Sequence, residues 1–170
     1  LEEKTELLLS RLRRGQIDMA LLALPVAGDD LHSMTLFDEP FCLAVSDRHP
    51  LAGRASVSAA DLEQASLLLL DEGHCLRDQA LEFCKSNAVE ESREFRATSL
   101  ETLIQMVATD LGITLVPEMA TREAPRHLRF IPFSDPGPHR TIGLVWRRKA
   151  SQHDFFEQIG ALMRRFRGGA

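Results

Sequence analysis

Two hydrophobic rhythms alternate along this chain. Short unbroken apolar runs, bounded by Gly, Pro or acidic residues, take turns with stretches whose apolar positions recur every three or four residues. The first rhythm marks buried strands and the second marks amphipathic helices. Residues 5–14 carry Leu8 and Leu12 on one side, with Leu9 beside them, and run into Gly15, which predicts a helix and its stop. Residues 17–24 (IDMALLAL) read as a buried strand. Residues 31–37 and 41–46 alternate like two strands separated by Asp38-Glu39-Pro40. Ser58 is placed to cap a short helix through Asp61, Leu62 and Glu63.

The second half repeats the alternation. SLLLL (66–70) is wholly apolar and predicts an interior strand, ending in the turn Asp71-Glu72-Gly73-His74. The helix CLRDQALEFCKS follows, with Leu76, Ala80 and Phe83 on one face. Residues 93–99 read as a strand entering a helix capped by Ser99, whose face is Leu103, Met106, Val107 and Leu111 and whose stop is Gly112. ITLVP, LRFIPF and RTIGLVWRR are three more strands, and residues 121–127 are a weakly patterned surface connection. Ser151 is expected to cap a last helix with Asp154 three residues on. Phe155, Ile159, Leu162 and Phe166 would form its stripe, with Arg164, Arg165 and Arg167 at its C-terminal end. Strands alternating with helices throughout predict an α/β fold with a mainly parallel sheet or sheets.

Composition narrows the function classes. A chain of 170 residues makes one domain or two small lobes, large enough to fold without a disulfide or metal staple. Its longest apolar run, residues 67–70, is far too short for a membrane span. A net charge of -5 gives no basic face for nucleic acid. Three cysteines, Cys42, Cys75 and Cys84, are too few and too odd in number for a secreted disulfide framework. The opening LEEKTELLLSRLRRG has none of the parts of a signal peptide. A cytoplasmic protein with no membrane partner is expected, and Leu1 reads as the middle of something longer.

The stretch LLLLDEGHCLRDQALEFC holds the candidate chemistry. Cys75 sits where a strand gives way to a helix, so the unpaired N–H groups of the first helical turn favour its thiolate. His74 and Arg77 act in the same direction, whereas Asp71, Glu72 and Asp78 oppose it. An inert, half-buried cysteine fits the same residues. Cys84 lies nine residues on. In an unbroken helix the two sulfurs start about 13 Å apart and on opposite faces, well beyond the roughly 7 Å between Cα atoms that a disulfide spans. Either the pair never meets, or its bond remodels the local fold, as in a redox switch. The residues alone leave both open.

Other chemistries find less. Zinc needs four ligands at short paired spacings, which His74-Cys75 and Cys84 do not offer, and C-x-x-C is absent. No metal and no cofactor are expected. His32, His49, His127, His139 and His153 lie in no hydrolase signature. Cys42 alternates with apolar residues and reads as core. Thr98-Ser99 would hold a small anion at a helix N-terminus, or simply cap the helix.

Three stretches, GQIDMALLAL, LFDEPFCLAVSDRHPLAG and TSLETLIQMVATDLGITLVPEMA, resemble the effector domain of LysR-type transcriptional regulators. DEGHCLRDQALEFC is similar, in sequence and cysteine spacing, to the redox segment of that family's hydrogen-peroxide sensors, and FRATSLETL and HRTIGLVWR extend the match. The resemblance implies a two-lobed fold like periplasmic binding proteins, with the lobes joined by two crossing strands. One lobe would hold about residues 1–38 with 145–170, the other about 39–144. Cys75 would be the peroxide-reactive cysteine and Cys84 the resolving one. Thr5 and His74 would help hold peroxide, Arg140 would help activate the thiol, and Arg77 and Asp78 would belong to the network around the switching helix. Hydrogen peroxide, a second copy of the chain in a homodimer or homotetramer, and a resetting thiol reductant are the implied partners. DNA would be contacted only through an N-terminal helix-turn-helix domain that this chain lacks, and the first strand and helix of the effector lobe are missing as well. Oxidation would be stoichiometric, making a sensor and not an enzyme. The alternatives are an effector domain that binds a small metabolite between its lobes, and a thiol peroxidase.

Overall fold

A computed structural model of the chain describes residues 4–63, 65–72, 74–123, 125, 127–134 and 136–167, and of residues 93, 94, 123, 166 and 167 the backbone alone. Gly73 of the expected turn and the side chain of Phe166 in the expected stripe therefore lie outside what is described. The elements run helix α1 (Thr5–Arg13), strands β1 (Met19–Leu24) and β2 (Leu31–Ser46), a 3-10 turn (Ala59–Leu62), β3 (Ser66–Leu70), helix α2 (Cys75–Ser86), β4 (Glu90–Ala97), α3 (Leu100–Ala108), β5 (Thr114–Pro117), a second 3-10 turn (Glu118–Glu123), β6 (Leu128–Pro132), β7 (His139–Arg147) and α4 (His153–Arg167). They form two compact units, Leu1–Asp38 with Arg140–Ala170, and Glu39–His139. The chain passes between the units inside β2 and again at the start of β7.

In the first unit β1 and β7 pair antiparallel, from Met19 opposite Trp146 to Leu24 opposite Thr141, and β7 also neighbours β2. Side chains alternate across this sheet. Val145, Ala20 and Leu22 share a cluster with Leu12 of α1, while Leu144 and Trp146 join Leu36 and Phe156 of α4. Arg147 fastens the end of α1 by donating to the carbonyls of Leu12 and Ile17, at 2.6 and 2.7 Å.

In the second unit β3 and β4 are parallel, and Leu67 bridges Ile113 at the head of β5 in the same sense. β5 and β6 each run antiparallel to β2. The order is β4-β3-β5-β2-β6, with β2 opposed to the other four. The mainly parallel expectation thus holds for the strands joined by helices in this unit and fails for β2, which enters the sheet directly from the other unit, and for the antiparallel β1–β7 pair. Leu43, Val45, Leu103, Val107, Leu115 and Ile131 lie in the core on which the sheet and α3 close.

Five local expectations need correction. β2 is one strand of 16 residues, not two. Asp38-Glu39-Pro40 does not break it, because Glu39 is buried and accepts from the Met119 N–H at 3.1 Å, and Pro40 faces outward. The left-handed residue after α3 is Asp110 (φ 66), not Gly112. Asp tolerates that region, and Asp110 accepts a hydrogen bond from Ser46 Oγ. Gly112 matters for space instead, since a Cβ there would sit 2.9 Å from Leu68 Cγ, and Leu111 lies past the helix and exposed. α4 begins at His153, so Ser151 is not in the capping position. Its buried side carries Phe156, Ile159 and Met163, while Phe155 (57% exposed) and Leu162 (52%) face out. The adjacent pairs Phe155-Phe156 and Leu162-Met163 allow either helical phase. The bond from Trp146 Nε1 to His153 Nδ1, 2.9 Å, pins the one observed.

Candidate functional site

α2 spans Cys75–Ser86, as its pattern predicts. β3 ends at Leu70, the Asp71 N–H closes on Ala97 O at 2.9 Å, and His74 turns the chain in an extended conformation. His74 O accepts from the N–H groups of Arg77 and Asp78, but its side chain caps nothing. Cys75, half-buried, is the first helical residue, where backbone N–H groups have no intrahelical partner.

All three cysteines are free thiols. Cys84 is 4% exposed, on the side of α2 that carries Leu76, Arg77 and Ala80 inward. Burial pushes its thiol up from the ordinary range, and the charge of Glu91 pushes it further. Cys42, in β2, is also raised, by burial first and then by Glu118. Because α2 is unbroken, Cys75 and Cys84 stand nine residues apart along it, about 13.5 Å of axial rise and on opposite faces. The helix does not bring the two sulfurs together.

The expected face Leu76, Ala80 and Phe83 is shifted in the structure. Arg77 and Cys84 turn inward, and Phe83 stays half-buried. Arg77 is 7% exposed, and a buried guanidinium needs partners. Its Nη1 donates to Leu70 O at 3.0 Å and lies 2.8 Å from Glu91 Oε1 in β4. Arg96 Nη2 stands 3.4 Å from the same oxygen. Asp78 is exposed. Glu91 lies before the strand that the sequence predicts from residue 93, and Arg96 lies inside it; neither is among the expected site residues. An arginine on the apolar side of the α2 wheel was the available signal, since it demands a carboxylate.

The remaining expected site residues are placed as follows. Thr5 opens α1 and Arg140 lies near the start of β7, both in the first unit, whereas His74, Cys75, Arg77, Asp78 and Cys84 belong to the second. Ser99 Oγ accepts from the Thr102 N–H at 3.1 Å and pairs with Thr102 Oγ1 at 2.9 Å. Its oxygen is thus occupied by capping, which favours the plain reading of Thr98-Ser99 over an anion site.

Two further features stand out. The flank of α2 carrying Gln79, Glu82 and Phe83 borders a cleft of about 300 Å³, opposite Phe41, Phe133 and Pro138, with Phe83 and Phe133 edge to face at 5.5 Å. In the first unit His32, His153 and Glu157 bring their ligand atoms within 4.8 Å of one another. Burial, and then His153, depress the His32 imidazole. The Trp146 N–H donates to His153 Nδ1, so the neutral ring carries its proton on Nε2, 3.4 Å from Glu157 Oε1. A metal-bound histidine instead donates from its second nitrogen, so Trp146 opposes metal binding through His153.

The family model of the LysR substrate binding domain matches residues 1–167. The chain is 43% identical over 167 residues to the DNA-binding transcriptional dual regulator OxyR of Escherichia coli (strain K12), covering 96% of this chain and 54% of that protein. It therefore spans about half the length of the curated relatives it matches. A solved structure of the reduced form of OxyR superposes with a TM-score of 0.88 at 39% identity, over 99% of this chain and 80% of that one. A structure of the oxidized form gives 0.85 at 42% identity with the same coverage.

Proposed function

The chain belongs to the LysR substrate-binding domain family, and from that premise we propose that it is the peroxide-sensing regulatory domain of a transcription factor. Cys75 is the thiol that hydrogen peroxide oxidises and Cys84 the thiol that resolves it. The observation that carries this reading is the placement of both cysteines on one helix, one at its N-terminus and one buried two and a half turns on. The matched relatives add weight, being named for hydrogen-peroxide-inducible genes or solved in oxidized and reduced forms.

The Cys75 thiolate attacks a peroxide oxygen. An S–O bond forms, the O–O bond breaks, and the departing hydroxide takes a proton to become water, leaving sulfenic acid. His74, next to Cys75 at the start of α2, helps hold the peroxide. Cys84 then displaces the second hydroxide and closes the disulfide. The bond requires α2 to open, with Arg77 and Asp78 released from their places around it, and this remodelling is the signal. A thiol reductant returns two electrons and resets the switch. One peroxide per chain per cycle makes a sensor and not a turnover catalyst.

In this reading the domain works as a homodimer or homotetramer, and DNA is read by a segment outside this chain. The setting is the cytoplasm, where cysteines are kept reduced, and no described helix is long and apolar enough to cross a membrane. The test is to treat reduced protein with one equivalent of peroxide, alkylate free thiols, digest with trypsin and weigh the peptides. Cys42, Cys75 and Cys84 fall in peptides 15–48, 55–77 and 78–85. A reducible link between the second and third is expected. Three alkylated thiols would overturn the reading, and sustained consumption of peroxide with a thiol reductant would make the protein a peroxidase.

A further inference from the structure

Helix α2 packs on β3 and β4. Arg77 and Cys84 are seven residues apart, so they point the same way, inward. On β4, Glu91 meets both: its Oε1 is 2.8 Å from Arg77 Nη1, and its charge reaches the Cys84 thiol. We propose that Glu91 is a positioning residue for disulfide formation. Its carboxylate clamps α2 to β4 through Arg77, with Cys84 turned inward, and the clamp must open before Cys84 can reach Cys75. The proposal rests on the redox reading above and names what gates its second step.

The chemistry explains why such a gate matters. In that step Cys84 gives its proton to solvent and its thiolate attacks the Cys75 sulfur. The S–S bond forms, the S–O bond breaks, and hydroxide leaves and is protonated to water. The attacking species is a thiolate. Among the described residues, the charged groups facing this side of α2 are Arg77 from the helix itself and Glu91, with Arg96 behind it, from β4, while residues 67–70 of β3 are all leucine. Burial and Glu91 together keep Cys84 a thiol in the closed helix. The carboxylate thus acts twice: it anchors the helix, and it holds back the nucleophile until the helix has moved. Premature attack and accidental pairing are both suppressed while Cys75 is unoxidised.

Two measurements test this. In a Cys42→Ser/Cys75→Ser background, Cys84 is titrated by the ultraviolet absorbance of its thiolate. Glu91→Gln is expected to lower the midpoint by about one pH unit, a tenfold gain in thiolate at fixed pH below it. In the otherwise parental chain the same variant is expected to form the disulfide about threefold faster, the gain in thiolate being partly offset by its lower nucleophilicity, with its pH profile displaced downward. The rate of sulfenic acid formation at Cys75, trapped with dimedone, stays as in the parent. A loosening that leaves Cys84 buried would change the rate without moving the profile. Unchanged titration and unchanged disulfide kinetics would overturn the proposal. If Glu91→Gln does not melt cooperatively, Arg96→Gln decides. It removes a cation at an exposed position and leaves the Glu91 charge less shared, so the Cys84 midpoint should rise and disulfide formation should slow. A downward shift or none would overturn the assignment. Should the parent chain form no sulfenic acid, the redox reading has failed, and the Cys84 titration still decides whether Glu91 sets that thiol's charge.

Discussion

Helices α2 and α3 stand one after the other in the same unit, each rising from the end of a strand, yet their attachments differ in kind. α3 is capped by Ser99 and buries Leu103 and Val107. α2 has no side-chain cap, its buried side includes Arg77 and Cys84, and its flank borders an open cleft. Apolar burial has no rival partner elsewhere, so α3 leaves its place only when the unit unfolds. An ion pair at the protein interior comes close to breaking even against hydration, so α2 gives up less by letting go. α3 is held to the core by apolar side chains, and α2 by Leu76 and Ala80 together with an ion pair.

Four experiments sharpen or break that contrast, from the largest expected effect downward. In the disulfide form, amide hydrogen exchange across α2 should accelerate by orders of magnitude while α3 keeps its protection. Equal loosening of both would show that the unit, and not the helix, is what responds. Leu103→Ala should cost about 2–5 kcal/mol in chemical denaturation of the reduced chain, without changing which cysteines pair on oxidation. Ser99→Ala should cost about 1 kcal/mol by the same assay, the usual value of an N-cap. A loss near zero would mean that α3 depends on packing alone. The smallest effect is in the pH dependence of the reduced chain. The folded-state pKa of Cys84 is raised, so its contribution is fully present below the unfolded value of about 8.5 and is lost as pH rises through the folded one. Cys42 acts with the same sign. The difference between the parent and Cys84→Ala therefore isolates Cys84: the alkaline decline of Tm should be shallower in the variant, and identical slopes would count against a buried, uncharged thiol.

α2 was legible in the sequence to the residue, because a wholly apolar strand ends against an acidic turn and a 3.6-residue rhythm starts at Cys75. Its tertiary attachment was not. Glu91 sits in EESREF, a stretch without apolar alternation until Phe95, and nothing local pairs it with an arginine on the preceding helix. The sequence divides β2 at Asp38-Glu39-Pro40, two acidic residues and a proline. The partner that keeps Glu39 buried is the amide of Met119, far along the chain. In α4 the sequence reading takes the phase of Phe155 and Leu162, whereas their neighbours Phe156 and Met163 fill the core, beside the Trp146–His153 bond. Periodicity locates elements, while ion pairs and phases belong to the packing between distant segments.

The division of the chain has a consequence for its birth on the ribosome. Glu39–His139 is one uninterrupted stretch, so the unit that holds α2 and its two cysteines can assemble as soon as it clears the exit tunnel. The other unit waits. Its β1 pairs with β7, Met19 against Trp146, and α4 closes one side of that sheet, so it is finished only when β7 and α4 have emerged. Such distant pairing is also slow to find. During synthesis the thiol-bearing unit is complete while its sister is still an open sheet, and a stalled or clipped product would carry the cysteines without that second half.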